Sequence, residues 1–110
     1  MNYQHKELAQ GRWKELPLLE QMANIGSEVE RALNWQTKNN PEYSRKAIER
    51  AVELLDLTLD CNAKTVHIKE LARLREVLLD YFFGTNEFMS TDKEWKKYFL
   101  QFACGVRKNH

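Results

Sequence analysis

Residues 17–35 read PLLEQMANIGSEVERALNW, and this stretch sets the pattern for the rest of the chain. Its apolar residues recur at alternating spacings of four and three, in the set Leu18, Met22, Ile25, Val29 and Ala32. That spacing is typical of one side of an α-helix, and polar residues occupy the other side. A helix of this kind buries its apolar stripe against partner helices. Three later segments carry matching stripes, so the sequence predicts a helical bundle.

The helix boundaries follow from the breaks and caps between these segments. Asn40 is expected to cap the second helix, with Pro41 in its first position. Thr91 and Glu94 have the spacing of a capping box that opens the fourth helix, and Gly105 is expected to mark its end. The expected helices span residues 17–38, 41–60, 66–83 and 92–104.

We therefore expect an all-α fold, an antiparallel four-helix bundle with a short N-terminal arm or helix. The length of 110 residues predicts a single domain over 1–110, and the apolar share of 43% is enough for a core. The formal net charge of +1 argues neither for nor against nucleic acid. No cofactor is expected, because no phosphate loop or cysteine–histidine cluster occurs.

A cytosolic location is the expectation for this chain. Cys61 and Cys104 form no CxxC pattern, so two free thiols in a reducing compartment are predicted. The polar N-terminus lacks the apolar core of a signal peptide. No segment approaches the roughly 18 apolar residues of a membrane span, so no membrane partner is expected.

Arg75 stands near the centre of the apolar arc of the third helix, where a guanidinium has to snorkel, pair with an acid or meet an anion. Glu30, at the edge of the first helix's stripe, is a candidate partner. Two interpretations stay open: a structural ion pair, or a small-anion site centred on Arg75.

Four carboxylates line one strip of the second helix: Glu49, Glu53, Asp56 and Asp60. Such a strip can hold Mg²⁺ for phosphate chemistry, or it can be an ordinary solvated face. Glu53-Leu-Leu-Asp56 resembles half of the paired acidic motif of the all-α MazG-like nucleotide pyrophosphohydrolases. That resemblance implies a metal-dependent nucleotide or phosphate hydrolase, although Arg31 stands where the motif on the first helix needs its second acid.

Two further sets of residues are candidates for contacts with partners. Trp35, Leu57 and Leu100 are expected on the polar sides of their helices, and the small Gly26 allows another helix to approach the first helix closely. These four interface candidates indicate a homo-oligomer, a dimer or larger. Cations on or near the third helix, chiefly Lys69 and Arg73 with Lys64, form a candidate patch for phosphate backbones together with Arg107 and Lys108 at the end of the chain, although acids interrupt it.

The stretches AIERAVELLDLTLD at 47–60 and LARLREVLLDYF at 71–82 resemble small bacterial four-helix-bundle proteins. That group contains ribosomal-RNA intervening-sequence proteins and retroelement accessory proteins, and it implies an oligomeric, non-enzymatic scaffold associated with nucleic acid. The chain also resembles HEPN-type helical proteins, many of which are ribonucleases. Their signature places four to six residues between an arginine and a histidine, and Arg107-Lys-Asn-His110 has two between.

The leading hypothesis is therefore a cytosolic homo-oligomeric interaction module, associated with nucleic acid. The alternatives are a metal-dependent nucleotide or phosphate hydrolase that uses the second helix's acids, and a small-anion binder centred on Arg75.

Overall fold

The computed structural model describes residues 11–108, and this part of the chain contains four α-helices and no strand. The expectation of an all-α fold is confirmed. The helices are α1 (Leu18–Thr37), α2 (Pro41–Cys61), α3 (Ile68–Phe83) and α4 (Asp92–Lys108). The expected N-terminal arm lies largely outside the described residues, and its described part includes a 3-10 turn over Trp13–Glu15.

The caps predicted for α2 and α4 are confirmed. The backbone N–H of Tyr43 donates to Oδ1 of Asn40 over 3.1 Å, and Pro41 begins the helix. At the start of α4, the backbone N–H of Glu94 donates to Oγ1 of Thr91 over 3.2 Å. Because these contacts join residues close in sequence, they fix the helix starts locally.

The starts and ends of α3 and α4 differ from the expectation in two places. The third helix begins at Ile68 and not at 66, because the hydroxyl of Thr65 accepts the backbone N–H of His67 over 3.2 Å and holds a turn there. The fourth helix continues through Gly105 to Lys108. A Cβ at Gly105 would lie 3.0 Å from Cδ1 of Leu19, so this glycine serves the contact between α4 and α1.

The core lies around α1, which packs against both α2 and α4, while α2 also contacts α3 and the 3-10 turn. At one end of this core, the buried Trp13 donates its Nε1–H to Oγ1 of Thr58 over 2.9 Å. Gln21 in turn donates to the backbone carbonyl of Trp13 over 2.9 Å. These hydrogen bonds tie the segment before α1 to the C-terminal half of α2.

The packing of α1 on α4 is close because glycines stand at two contacts. A Cβ at Gly26 would lie 2.9 Å from Cβ of Phe99, and Gly105 is similarly close to Leu19. Early residues of α1 therefore meet late residues of α4. Within residues 11–108, no helix combines the length and the apolar content that crossing a bilayer requires.

Candidate nucleic-acid interface

The partner of Arg75 is Asp56 on α2. Nε of Arg75 lies 2.7 Å from Oδ1 of Asp56, and the two side chains are 39% and 34% exposed. The candidate partner Glu30 was wrong, because α3 packs against α2 whereas Glu30 lines a groove between α1 and α4. An anion that bound Arg75 at this nitrogen would have to displace a carboxylate already seated there.

The four carboxylates of the acidic strip on α2 differ in their partners and in their exposure. Glu49 pairs with Arg45 over 3.3 Å, and Asp56 pairs with Arg75. Glu53 is half-buried and Asp60 is exposed. Over residues 11–108, no group of three or more histidine, cysteine, aspartate or glutamate side chains is placed to hold a metal ion. The structure therefore gives the hydrolase alternative no assembled metal site.

Three of the four interface candidates pack against other residues of the same chain. Leu57 is only 8% exposed and belongs to the core, which corrects the expectation that it faces solvent. Gly26 is buried against α4. Trp35 is half-buried and packs edge-on against Tyr43, with ring centroids 4.9 Å apart. Leu100 is 55% exposed and remains available to a partner.

The candidate cations of α3 are both exposed, but one has a partner. The guanidinium of Arg73 lies over the ring of Phe88, 4.6 Å from its centroid. That contact engages the guanidinium within the chain. Lys69 has no such contact in the part of the chain that the structure describes. The two residues do not form a strong phosphate-binding surface by themselves.

A more concentrated basic surface lies on α4, where Arg107 and Lys108 were expected to join a cationic patch but Lys93, Lys96 and Lys97 were not predicted to contribute. At about 100° per residue, five cations fall within an arc of roughly 120° on the side opposite the buried Trp95 and Phe99. The acids Asp92 and Glu94 lie outside this arc, and the helix carries a formal charge of +3. We call this surface the basic face of α4; its cations are Lys93, Lys96, Lys97, Arg107 and Lys108.

All five side chains of the basic face are exposed, and none forms an ion pair or hydrogen bond within residues 11–108. Lys93, Lys96 and Lys97 form one group, and Arg107 and Lys108 form another near the C-terminal end. A helical wheel drawn for α4 alone shows this arrangement. The grouping of Lys93, Lys96 and Lys97 could be found within the expected helix 92–104, whereas their alignment with Arg107 and Lys108 requires the helix to continue past Gly105.

Tyr98 on α4 and Tyr81 on α3 contribute no negative charge at neutral pH. Burial, and then the carboxylate of Glu70, raises the pKa of Tyr98 to about 12. Burial, and then Asp92, also raises the pKa of Tyr81. Both phenols therefore stay protonated, and they do not offset the positive potential of the basic face.

The groove between α1 and α4 borders the basic face. It has a volume of about 370 Å³, within the range of roughly 300–1,000 Å³ that is common for ligand sites. Small and apolar residues of both helices form its floor, Glu30 lies on the α1 wall, and Lys96, Lys97 and Arg107 lie on the α4 wall.

Comparison of the chain with protein-family models, curated proteins and solved structures finds no match. The family resemblances described above are neither supported nor contradicted by this result, and they stay predictions.

Proposed function

We propose that this protein is a cytosolic, homo-oligomeric module, built as an antiparallel four-helix bundle, that binds the phosphate backbone of nucleic acid. The observation that carries the proposal is the basic face of α4, where five exposed cations have no partner within the described chain. Because no internal ion pair has to break, each cation is free to neutralise a phosphate and release its counterion.

The dimensions of the basic face suit a polyanion better than a small anion. Lys93 and Arg107 stand fourteen positions apart, which corresponds to about 21 Å along a helix. A single phosphate or carboxylate contacts only a small part of that length. A nucleic-acid backbone places charges at regular intervals along the length of the basic face. The backbone therefore engages both groups of cations at once.

Separate observations support the location and the self-association. Cys61 and Cys104 are both free thiols, in keeping with a reducing compartment. Phe83 and Met89 are 48% and 79% exposed at the end of α3 and in the loop that follows. We assign this apolar surface to contact with a second copy of the chain. Light scattering is expected to give the mass of a dimer or larger; a monomer would contradict the homo-oligomer alone.

The test of nucleic-acid binding is fluorescence anisotropy with a labelled dT 20-mer at salt concentrations between 50 and 200 mM. Five phosphate contacts to a single strand predict a log–log salt slope of about −3.5, which weakens binding by about 100-fold over this range. The triple variant Lys93→Gln/Lys96→Gln/Lys97→Gln removes three contacts, so its slope is expected to fall to about −1.4.

The matched control removes the same charge from the neighbourhood of α3. Lys64→Gln/Lys69→Gln/Arg73→Gln is expected to keep the wild-type salt slope. If this control lost binding while the α4 variant kept it, the interface would lie on α3 and the assignment to α4 would be wrong. If wild type bound no oligonucleotide at 50 mM salt, nucleic-acid binding itself would be refuted.

A further inference from the structure

The groove between α1 and α4 contains one feature that a simple phosphate-binding surface does not need. Glu30 lies on its α1 wall, exposed, with no ion pair or hydrogen bond within residues 11–108. A carboxylate beside a polyanion repels phosphates, and at this place it weakens backbone binding. Its position is favourable only if the ligand presents hydrogen-bond donors to it. The edge of a nucleobase has such donors, whereas the backbone phosphates have none.

The opposite wall and the floor of the groove suit the rest of a nucleotide. Lys96, Lys97 and Arg107 line the α4 wall and belong to the basic face, so a strand held there by its phosphates passes along the rim. Leu100 is the apolar lining residue that offers contact to the face of a planar base, because it is 55% exposed whereas Val29 and Leu33 are each only 1% exposed. The volume of about 370 Å³ is sufficient for one base.

A second, independent observation comes from Trp95, which also lines this groove. Its side chain is only 6% exposed, and its Nε1–H has no acceptor among the described residues. A buried donor without an acceptor is unfavourable, and most such groups in folded proteins have a partner. A ligand that brings a carbonyl or ring-nitrogen acceptor to the groove can supply one only if the Trp95 side chain shifts, because the Nε1 atom itself is fully buried.

We propose that the α1–α4 groove takes one guanine base of a single-stranded nucleic acid whose phosphates lie on the basic face of α4. The inference rests on the proposed function and adds a base preference to it. Guanine presents two adjacent donors, N1–H and the N2 amino group, which match the two oxygens of the Glu30 carboxylate. It also carries acceptors at O6 and N7, which reach the Nε1–H of Trp95 only if that side chain turns out of its buried position.

The other bases match this arrangement less well. Adenine and cytosine each present one amino group, and they place a ring acceptor next to it. Thymine and uracil present a single N–H between two carbonyl oxygens. The carboxylate of Glu30 repels both of these oxygens. Recognition by base edges in this way is common for proteins that bind unpaired nucleotides, whose bases are free to turn outward.

The test compares three labelled 12-mers: all dT, dT with one central dG, and dT with one central dA. With wild-type protein, the central guanine is expected to tighten binding by about 10-fold, the effect of one bidentate base contact. A central adenine is expected to change the affinity by less than about twofold. In Glu30→Gln, the guanine preference is expected to disappear, although removal of the negative charge strengthens binding to all three strands.

Glu28→Gln is the matched control, because it removes the same charge from α1 at a residue that pairs with Arg31 and does not line the groove. It is expected to keep the guanine preference. Circular dichroism melting curves verify that both variants are folded.

The outcomes separate the two proposals. Salt-dependent binding without a guanine preference overturns the groove inference and leaves the proposed function standing. A preference that persists in Glu30→Gln also overturns the inference. Absence of binding to all three strands at low salt refutes the proposed function, and the groove inference fails with it.

Discussion

Replacement of Gly26 by alanine tests the close packing of α1 on α4, which forms the candidate groove. The new Cβ would lie 2.9 Å from both Cβ and Cδ1 of Phe99. Ordinary carbon–carbon contacts are about 3.5–4.0 Å, so the atoms have to separate by roughly 0.5–1 Å. Because Cβ of Phe99 is attached to its backbone, rotation of the ring does not relieve this contact. The two helices have to move apart.

The expected magnitude is the difference between two effects. Overpacking of a well-filled interface costs about 1–3 kcal/mol, and the fixed position of the Phe99 Cβ favours the upper end. Alanine gains about 1 kcal/mol over glycine in helix propensity. We therefore expect Gly26→Ala to lower the free energy of unfolding by about 2 kcal/mol, which corresponds to a decrease in Tm of roughly 10 °C.

The assay is urea denaturation followed by circular dichroism, with Gly105→Ala as the matched control. The added Cβ at Gly105 would lie 3.0 Å from Cδ1 of Leu19, at the end of a flexible side chain that is able to rotate. Gain in helix propensity then offsets most of the steric cost, and the change is expected to stay within about 1 kcal/mol. If Gly26→Ala were as stable as wild type, the proposed spacing of α1 and α4 would be refuted.

Three further perturbations test other contacts. Thr58→Val removes the acceptor of the buried Trp13 N–H and is expected to lower the free energy of unfolding, measured by urea denaturation, by about 1–3 kcal/mol. Thr58→Ser is the control, because it keeps the hydroxyl. A Thr58→Val variant as stable as wild type would contradict the hydrogen bond. A double-mutant cycle with Arg75→Met and Asp56→Asn is expected to give a coupling free energy below about 1 kcal/mol, because both side chains are partly exposed. A much larger coupling would contradict the view that solvent weakens this ion pair. Burial raises the pKa of Tyr98 from its ordinary value of 10.0 to about 12, so the folded state binds this proton more tightly and the free energy of unfolding is expected to fall as the pH rises from about 10 to 12. Tyr98→Phe is expected to flatten that part of the stability curve measured by urea denaturation, and an unchanged curve would show that Tyr98 is not the group responsible.

The sequence alone was sufficient for the helices and for most of their ends. The apolar spacing in residues 17–35 predicted α1, and the caps at Asn40 and Thr91 predicted the starts of α2 and α4. These features depend on contacts between residues three or four positions apart, which a sequence displays directly. The basic face of α4 belongs to this class as well, because the spacing of its cations is a property of one helix.

The tertiary structure decided which helix faces meet. It paired Arg75 with Asp56 instead of Glu30, and it buried Leu57. It also placed Gly26 against α4 of the same chain. The crossing and register of helices depend on how side chains far apart in sequence fit together, and an isolated helical wheel contains no information about that fit. The groove that joins Glu30 to the cations of α4 exists only because of this packing, so its candidate role was visible only in the folded chain.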